Sequence, residues 1–245
     1  MLNVKNVGFS YENHHVLKEI NLQVKKGETV GIIGRSGVGK TTLFQLITGL
    51  LPLQEGEITV DGSEDIKGKI SYMLQKDMLY NHYTVLENIM LPRIVAGDKK
   101  DEARELAMNL LQQFKMEEWA NHYTHALSGG MRQRIAFLRT AAFRREWLLL
   151  DEAFSALDAF TRRQLHQWFI HTRERVGWSS LLITHDVDEA LILCDRVYVI
   201  SGQPGTIIHS LEVDFASTDL ENIIFEPSFL EAKKELLSYL NENVN

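Results

Sequence analysis

The sequence predicts an α/β fold, a mainly parallel sheet covered by helices on both faces, with a helical lobe inserted into it. Three observations carry this. Short apolar runs of β character recur at Val30-Gly31-Ile32-Ile33, Trp147-Leu148-Leu149-Leu150, Ser180-Leu181-Leu182-Ile183 and Arg196-Val197-Tyr198-Val199-Ile200. Helical periodicity separates the runs, and strands alternating with helices pair in parallel and are buried on both faces. Residues 85–145 interrupt that alternation with a mostly helical pattern, which reads as the inserted lobe.

The elements follow in order. The first 30 residues alternate weakly and read as short strands, with Glu12-Asn13-His14-His15 as a turn. The run ending at Ile33 feeds a glycine-rich turn. Residues 41–49 then place Leu43, Phe44, Leu46 and Ile47 at helical spacing, and Gly49 can end that helix. Residues 101–114 put Ala103, Leu106, Leu110 and Leu111 on one face. A further helix carries Ile135, Ala136, Leu138 and Ala142. Near the end, Ser228 and Glu231 have capping-box spacing ahead of Phe229, Leu230, Leu236, Leu237 and Leu240, an amphipathic helix expected to dock on the body.

Composition bounds the function. At 245 residues the chain can bury one good core, or a core with a smaller lobe. Hydrophobic residues at 44% and charged ones at 24% are ordinary for a globular protein. No apolar stretch approaches the roughly 18 residues of a membrane span, and the first residues lack the apolar centre of a secretory leader. A soluble chain made in the cytoplasm is expected. A net charge of −7 argues against sequence-independent nucleic-acid binding, so no nucleic-acid partner is expected. Cys194 is the single cysteine, which rules out an intrachain disulfide; after Ala190-Leu191-Ile192-Leu193 it reads as a buried thiol. The histidines show no metal-ligand spacing, and His14, His15, His122 and His125 read as exposed loop residues.

Three motifs carry chemistry. Gly34-Arg35-Ser36-Gly37-Val38-Gly39-Lys40-Thr41 fits G-x-x-x-x-G-K-[ST] in full, with Thr42 following. Its glycines let successive N–H groups turn toward one anion, the next helix adds its positive end, Lys40 reaches outer phosphates, and the Thr41 hydroxyl can ligate Mg²⁺. Asp151-Glu152 closes an apolar strand, placing two acids where open α/β sheets bind ligands. Asp151 suits a hydrated cation, and Glu152 suits the orientation or deprotonation of a water. Leu127-Ser128-Gly129-Gly130 opens a basic helix and forms a second anion site, although the chain already has one. No Asn-Lys-x-Asp run is present, which removes guanine-specific GTPases.

In this order, the three motifs resemble the ABC ATPase family over about residues 1–210. The resemblance implies a P-loop NTPase of the ABC ATPase fold, with a RecA-like mainly parallel sheet, an N-terminal antiparallel β subdomain and an inserted helical subdomain. It implies one domain over residues 1–245, with the helical subdomain at about 86–145 and a helical tail at about 226–243. ATP and Mg²⁺ are the implied cofactors. By the same resemblance, Tyr11 stacks on adenine, residues 34–42 hold the phosphates, Gln75 touches Mg²⁺ and the attacking water, and His185 contacts the γ-phosphate. Ser155-Ala156-Leu157-Asp158 matches the loop coupling two subunits, and Ser128, Gly129 and Gly130 serve the ATP of the opposite subunit. Met131 stands where glutamine is usual and Ala153 where proline is common; both spare the catalytic positions.

A single cassette without a membrane span must borrow a transport path. Residues 151–162 are similar to the nitrate, sulfonate and taurine importer subfamily, and the stretch from Tyr72 to Pro92 is similar to importers of thiamine-pyrimidine precursors. The implied partners are a second copy in an ATP-sandwich dimer, integral membrane permease subunits and an extracytoplasmic solute-binding protein, with the chain at the cytoplasmic face of the membrane. The alternatives are an export or lipid-extraction cassette and a non-transport ABC ATPase. Repair-type members insert long coiled coils before the signature helix, and the interval from Lys40 to Leu127 is too short for one.

Overall fold

The computed structural model describes residues 1–155, 157–215 and 222–242. The chain opens with β1 (Leu2–Tyr11), β2 (His14–Val24) and β3 (Thr29–Ile33), followed by α1 (Lys40–Ile47), β4 (Glu55–Val60) and β5 (Ile70–Met73). Three helices come next: α2 (Val85–Val95), α3 (Lys100–Gln113) and α4 (Gly129–Ala141). Then come β6 (Trp147–Asp151), α5 (Ala159–Val176), β7 (Ser179–Thr184), α6 (Val187–Leu193), β8 (Arg196–Ser201), β9 (Thr206–Glu212) and α7 (Pro227–Glu242).

The larger sheet has the order β5-β6-β7-β3-β8-β9, with β8 and β9 antiparallel and the other pairs parallel. A smaller antiparallel sheet, β2-β1-β4, lies beside it. The central strands bury both faces, and their side chains sort by a period of two. Trp147, Leu149, Leu181, Ile183, Tyr198 and Ile200 join a core with α1 and the small sheet. Leu148, Leu150, Leu182, Val197 and Val199 join the other core, which holds the helices of the lobe, α5, α6 and α7. Among the described residues, no helix is long and apolar enough to cross a membrane.

Four details differ from the sequence reading. His14 and His15 belong to β2, with His14 opposite Tyr11, so the turn narrows to Glu12-Asn13. In α3 the buried stripe is Ala103, Ala107 and Leu111, at exact four-residue spacing, which leaves Leu106 and Leu110 half-buried beside it. Ser228 is not the cap of α7: Pro227 takes the first helical position, and the Ser228 hydroxyl donates to Glu226. Phe229 and Leu236 are buried, whereas Leu230 and Leu237, each one step further round the helix, face solvent. Cys194 is buried, and burial pushes its thiol well up.

Candidate functional site

β3 is paired on both sides, with Ile33 opposite Thr184 of β7 and Val199 of β8, so the chain leaves the middle of the sheet at Gly34. Gly39 takes a left-handed φ of 100°, and a Cβ there would run into Leu17 and Val16 of β2; only glycine meets both demands. α1 begins without a side-chain cap or an acidic residue in its first turn. Its first N–H groups and its positive dipole end are therefore left for an anion. Lys40 is buried, and its ammonium donates to the carbonyls of Gly34 and Arg35 at 2.8 and 2.9 Å. Burial lowers its pKa, opposed by Glu152 and Asp151. Arg35, Ser36 and Gly37 form the exposed rim, Val38 packs inward, and Thr41 and Thr42 open the helix.

Asp151 ends β6 and is buried there. Burial raises its carboxyl, while the Tyr72 hydroxyl, which donates to it at 3.2 Å, and the nearby Thr41 hydroxyl pull the other way. Glu152 has a left-handed φ of 48°, a conformation that costs a non-glycine residue on the order of 1 kcal/mol or more. Its backbone is pinned there. The Glu152 N–H donates to Ile183 of β7 at 2.9 Å, and its carbonyl accepts from the Ser155 N–H and hydroxyl. The side chain is thereby aimed at Gln75, whose amide donates at 3.0 Å, and at His185 Nδ1, 3.6 Å away. Three segments distant in sequence thus converge on one carboxylate beside the phosphate loop.

The remaining positions lie apart from that cluster. Ser128 caps α4, accepting from the Met131 N–H at 3.3 Å, and open space surrounds Gly129. Asp158 caps α5, and the Thr161 N–H holds its carboxyl below the usual range. Tyr11 ends β1, 46% exposed, with its ring edge-to-face against Phe9. Among the described residues, no hydrogen bond, ion pair or ring contact joins Ser128, Gly129, Gly130, Asp158 or Tyr11 to the phosphate loop. Ala156 lies outside the described residues.

Sequence reasoning missed the supports. Tyr72 touches Asp151. Arg132 of α4 forks onto both carboxylate oxygens of Asp77, and Arg139 donates to the carbonyls of Asp77 and Met78 at 2.7 Å. Gln133 donates to the buried carbonyl of Ala153 at 3.0 Å. One helix therefore grips the loop after Gln75 and the turn after Glu152. Arg132 and Arg139, seven apart, visibly share a helix face; their partners far upstream have no local signal.

No group of three or more His, Cys, Asp or Glu side chains that could hold a metal ion occurs among the described residues. Asp151 with the Thr41 hydroxyl instead suits a hard cation that keeps waters and shares a substrate's phosphates. A buried carboxylate beside a second one, Glu152, and opposed by hydroxyls and the more distant Lys40, is an environment that such a cation would stabilise.

Comparison with known proteins bears on the whole chain. Residues 17–155 match a family model described as "ABC transporter". The formylaminopyrimidine import ATP-binding protein of Halalkalibacterium halodurans is 40% identical, over 83% of this chain and 81% of its own. The aliphatic sulfonates import ATP-binding protein of Pseudomonas syringae is 37% identical over 95% of each chain. The taurine import ATP-binding protein of Rhizobium johnstonii is 34% identical over 93% and 89%. Among solved structures, a dimeric ATP-binding cassette in a post-hydrolysis state with ADP and Pi superposes with a TM-score of 0.79 at 30% identity, covering 88% of this chain and all of that one.

Proposed function

We propose a mechanism and a cargo class from the premise that this chain belongs to the ABC transporter family, as the ATP-binding and ATP-hydrolysing subunit of an importer. The observation that carries the mechanism is the meeting of Gln75, Glu152 and His185 beside Lys40. Lys40 exchanges its two loop carbonyls for the outer phosphates of ATP, which also draw on N–H groups within residues 34–42. Tyr11 stacks on adenine. Glu152 orients the attacking water and takes its proton, with its carboxylate held between Gln75 and His185. Thr41, Asp151 and Gln75 are the residues that would hold Mg²⁺, which when bound neutralises phosphate charge. Ser128, Gly129 and Gly130 of a second copy close over the nucleotide, and Asp158 lies in the segment between the two sites.

The working unit is one domain over 1–245, with 86–145 as its helical lobe and 226–243 as its tail. The permease meets it at an open cleft lined by Tyr72, Leu74, Met78, Tyr80, Pro92 and Val95, where Met78 is 58% and Val95 77% exposed. Apolar side chains left in water beside the loop of Gln75 support this assignment, since exposed apolar patches mark interaction sites. The cargo is a small anionic or pyrimidine solute delivered by an extracytoplasmic binding protein, in keeping with the relatives named for taurine, sulfonates and formylaminopyrimidine.

Glu152→Gln tests the reading. Hydrolysis should fall roughly 10²–10⁴-fold with ATP still bound, and the tagged variant with MgATP should bring a multi-span permease out of solubilised membranes. A variant that hydrolyses normally would refute the base. Recovery of soluble partners alone would refute the transporter assignment.

A further inference from the structure

Away from the nucleotide site, a cleft of about 540 Å³ opens between α3 and α5. Leu106, Asn109, Leu110 and Gln113 face it from one side, an i, i+3, i+4, i+7 pattern that is a single face of α3. Trp168, Thr172, Arg175 and Val176 face it from α5, and Arg144, Arg145, Glu146 and Trp178 close the end. The cleft sits at the start of β6, the end opposite Asp151, roughly 15 Å away at about 3.3 Å per residue. It is therefore separate from the phosphate loop.

Its chemistry is specific. Trp168 and Trp178 lie with ring centroids 6.0 Å apart, and the Trp168 indole N–H donates to Gln113 at 3.4 Å, which fixes the ring. Leu106 and Leu110, which the buried stripe of α3 leaves over, complete the apolar wall. At the rim, the guanidinium groups of Arg144, Arg145 and Arg175 have no hydrogen bond or ion pair among the described residues. The one lining carboxylate, Glu146, is turned to Lys26 at 3.4 Å. So a chain of net charge −7 gathers three uncommitted cations around an aromatic floor.

We propose that this cleft binds a small amphipathic anion: a flat aromatic body carrying a carboxylate, sulfonate or phosphate. The volume is that of a ligand pocket, and apolar walls with a few convergent polar groups are what such pockets present. The indoles accept a flat ring by stacking or edge contact. The guanidinium groups offer paired N–H donors that match an oxyanion.

The test uses 1-naphthalenesulfonate as the probe, titrated into the full chain with saturating MgADP to keep it off the phosphate loop. Saturable binding is expected, moving the indole N–H resonances of Trp168 and Trp178 but not that of Trp147, which donates to Asp61 in the other core. Uncharged 1-naphthalenemethanol should bind at least tenfold more weakly. The double substitution Arg145→Gln with Arg175→Gln, confined to exposed side chains, should weaken sulfonate binding at least tenfold, and Leu106→Trp should block it by filling the cleft. Equal affinity for the two probes, unchanged affinity in the double variant, or shifts that spare Trp168 and Trp178 would each overturn the site.

Discussion

Asp151 shows at the residue scale how a proposed cation-binding position is held against folding stability. It lies at a strand end that two neighbouring strands bury, beside the hydroxyls of Thr41 and Tyr72, the carboxylate of Glu152 and the cation of Lys40. Burial keeps its folded pKa above the ordinary carboxylate value, so the folded protein holds this proton more tightly than the unfolded chain. Stability then falls as pH rises from the ordinary value through the folded one, and at neutral pH the ionised group is a net cost. Asp151→Asn removes that cost along with the proposed Mg²⁺ ligand. The nucleotide-free variant should melt above the parent at pH 7. The gap should narrow as the pH is lowered toward the ordinary carboxylate value, about 4. ATP hydrolysis should be lost in the same variant. Calorimetry at the two pH values decides it, and a variant no more stable than the parent at pH 7 would contradict the burial argument. Glu152 adds a second local cost, a left-handed backbone fixed by Ile183 and Ser155.

At the element scale, α4 is the part that ties the site together. Its cap, Ser128, faces outward, while Arg132, Gln133 and Arg139 hold residues 77, 78 and 153. Burial lowers the pKa of the Arg139 guanidinium, and the carbonyls of Asp77 and Met78 have it as a donor. Arg139→Met would leave those carbonyls without it and free the loop that presents Gln75. A loss of about 1–3 kcal/mol is expected, read by urea unfolding, together with faster proteolysis at residues 76–80; an unchanged midpoint and cleavage pattern would show that the loop does not depend on this tether. The same helix shows what was legible in the sequence. Strands such as Leu148-Leu149-Leu150 announce themselves by apolar runs, and the phosphate loop by its glycines, of which Gly37 and Gly39 take left-handed φ. Asp77, Tyr72 and Arg139 gave no such sign, because their partners lie tens of residues away and each alone reads as an ordinary polar residue. The tail misled for a related reason: Ser228 and Glu231 have the spacing of a cap, but Pro227, fixed near helical φ, starts the helix two residues before the position a Ser228 cap implies.

At the scale of the whole molecule, the question is where the second phosphate site finds a phosphate. Lys40 and Glu152 share one cluster, whereas Ser128, Gly129 and Gly130 have no contact with it among the described residues. One chain therefore carries two halves that do not meet. The proposed two-fold dimer would resolve this, because a symmetric interface can set each half against its complement on the other copy and make two composite sites. That geometry predicts complementation between two dead variants. Lys40→Ala ruins the phosphate-loop half and Ser128→Arg the helix half, so each should be inactive alone. In a mixed dimer, one composite site takes both ruined halves, and the other takes both intact ones. Equal mixing should therefore regain about a quarter of the parent rate if the sites turn over independently, half the dimers being mixed with one working site each. Light scattering of Glu152→Gln in MgATP should give the mass of two chains. No regained activity, together with the mass of a single chain, would place both halves of the reaction within one copy and dismiss the sandwich.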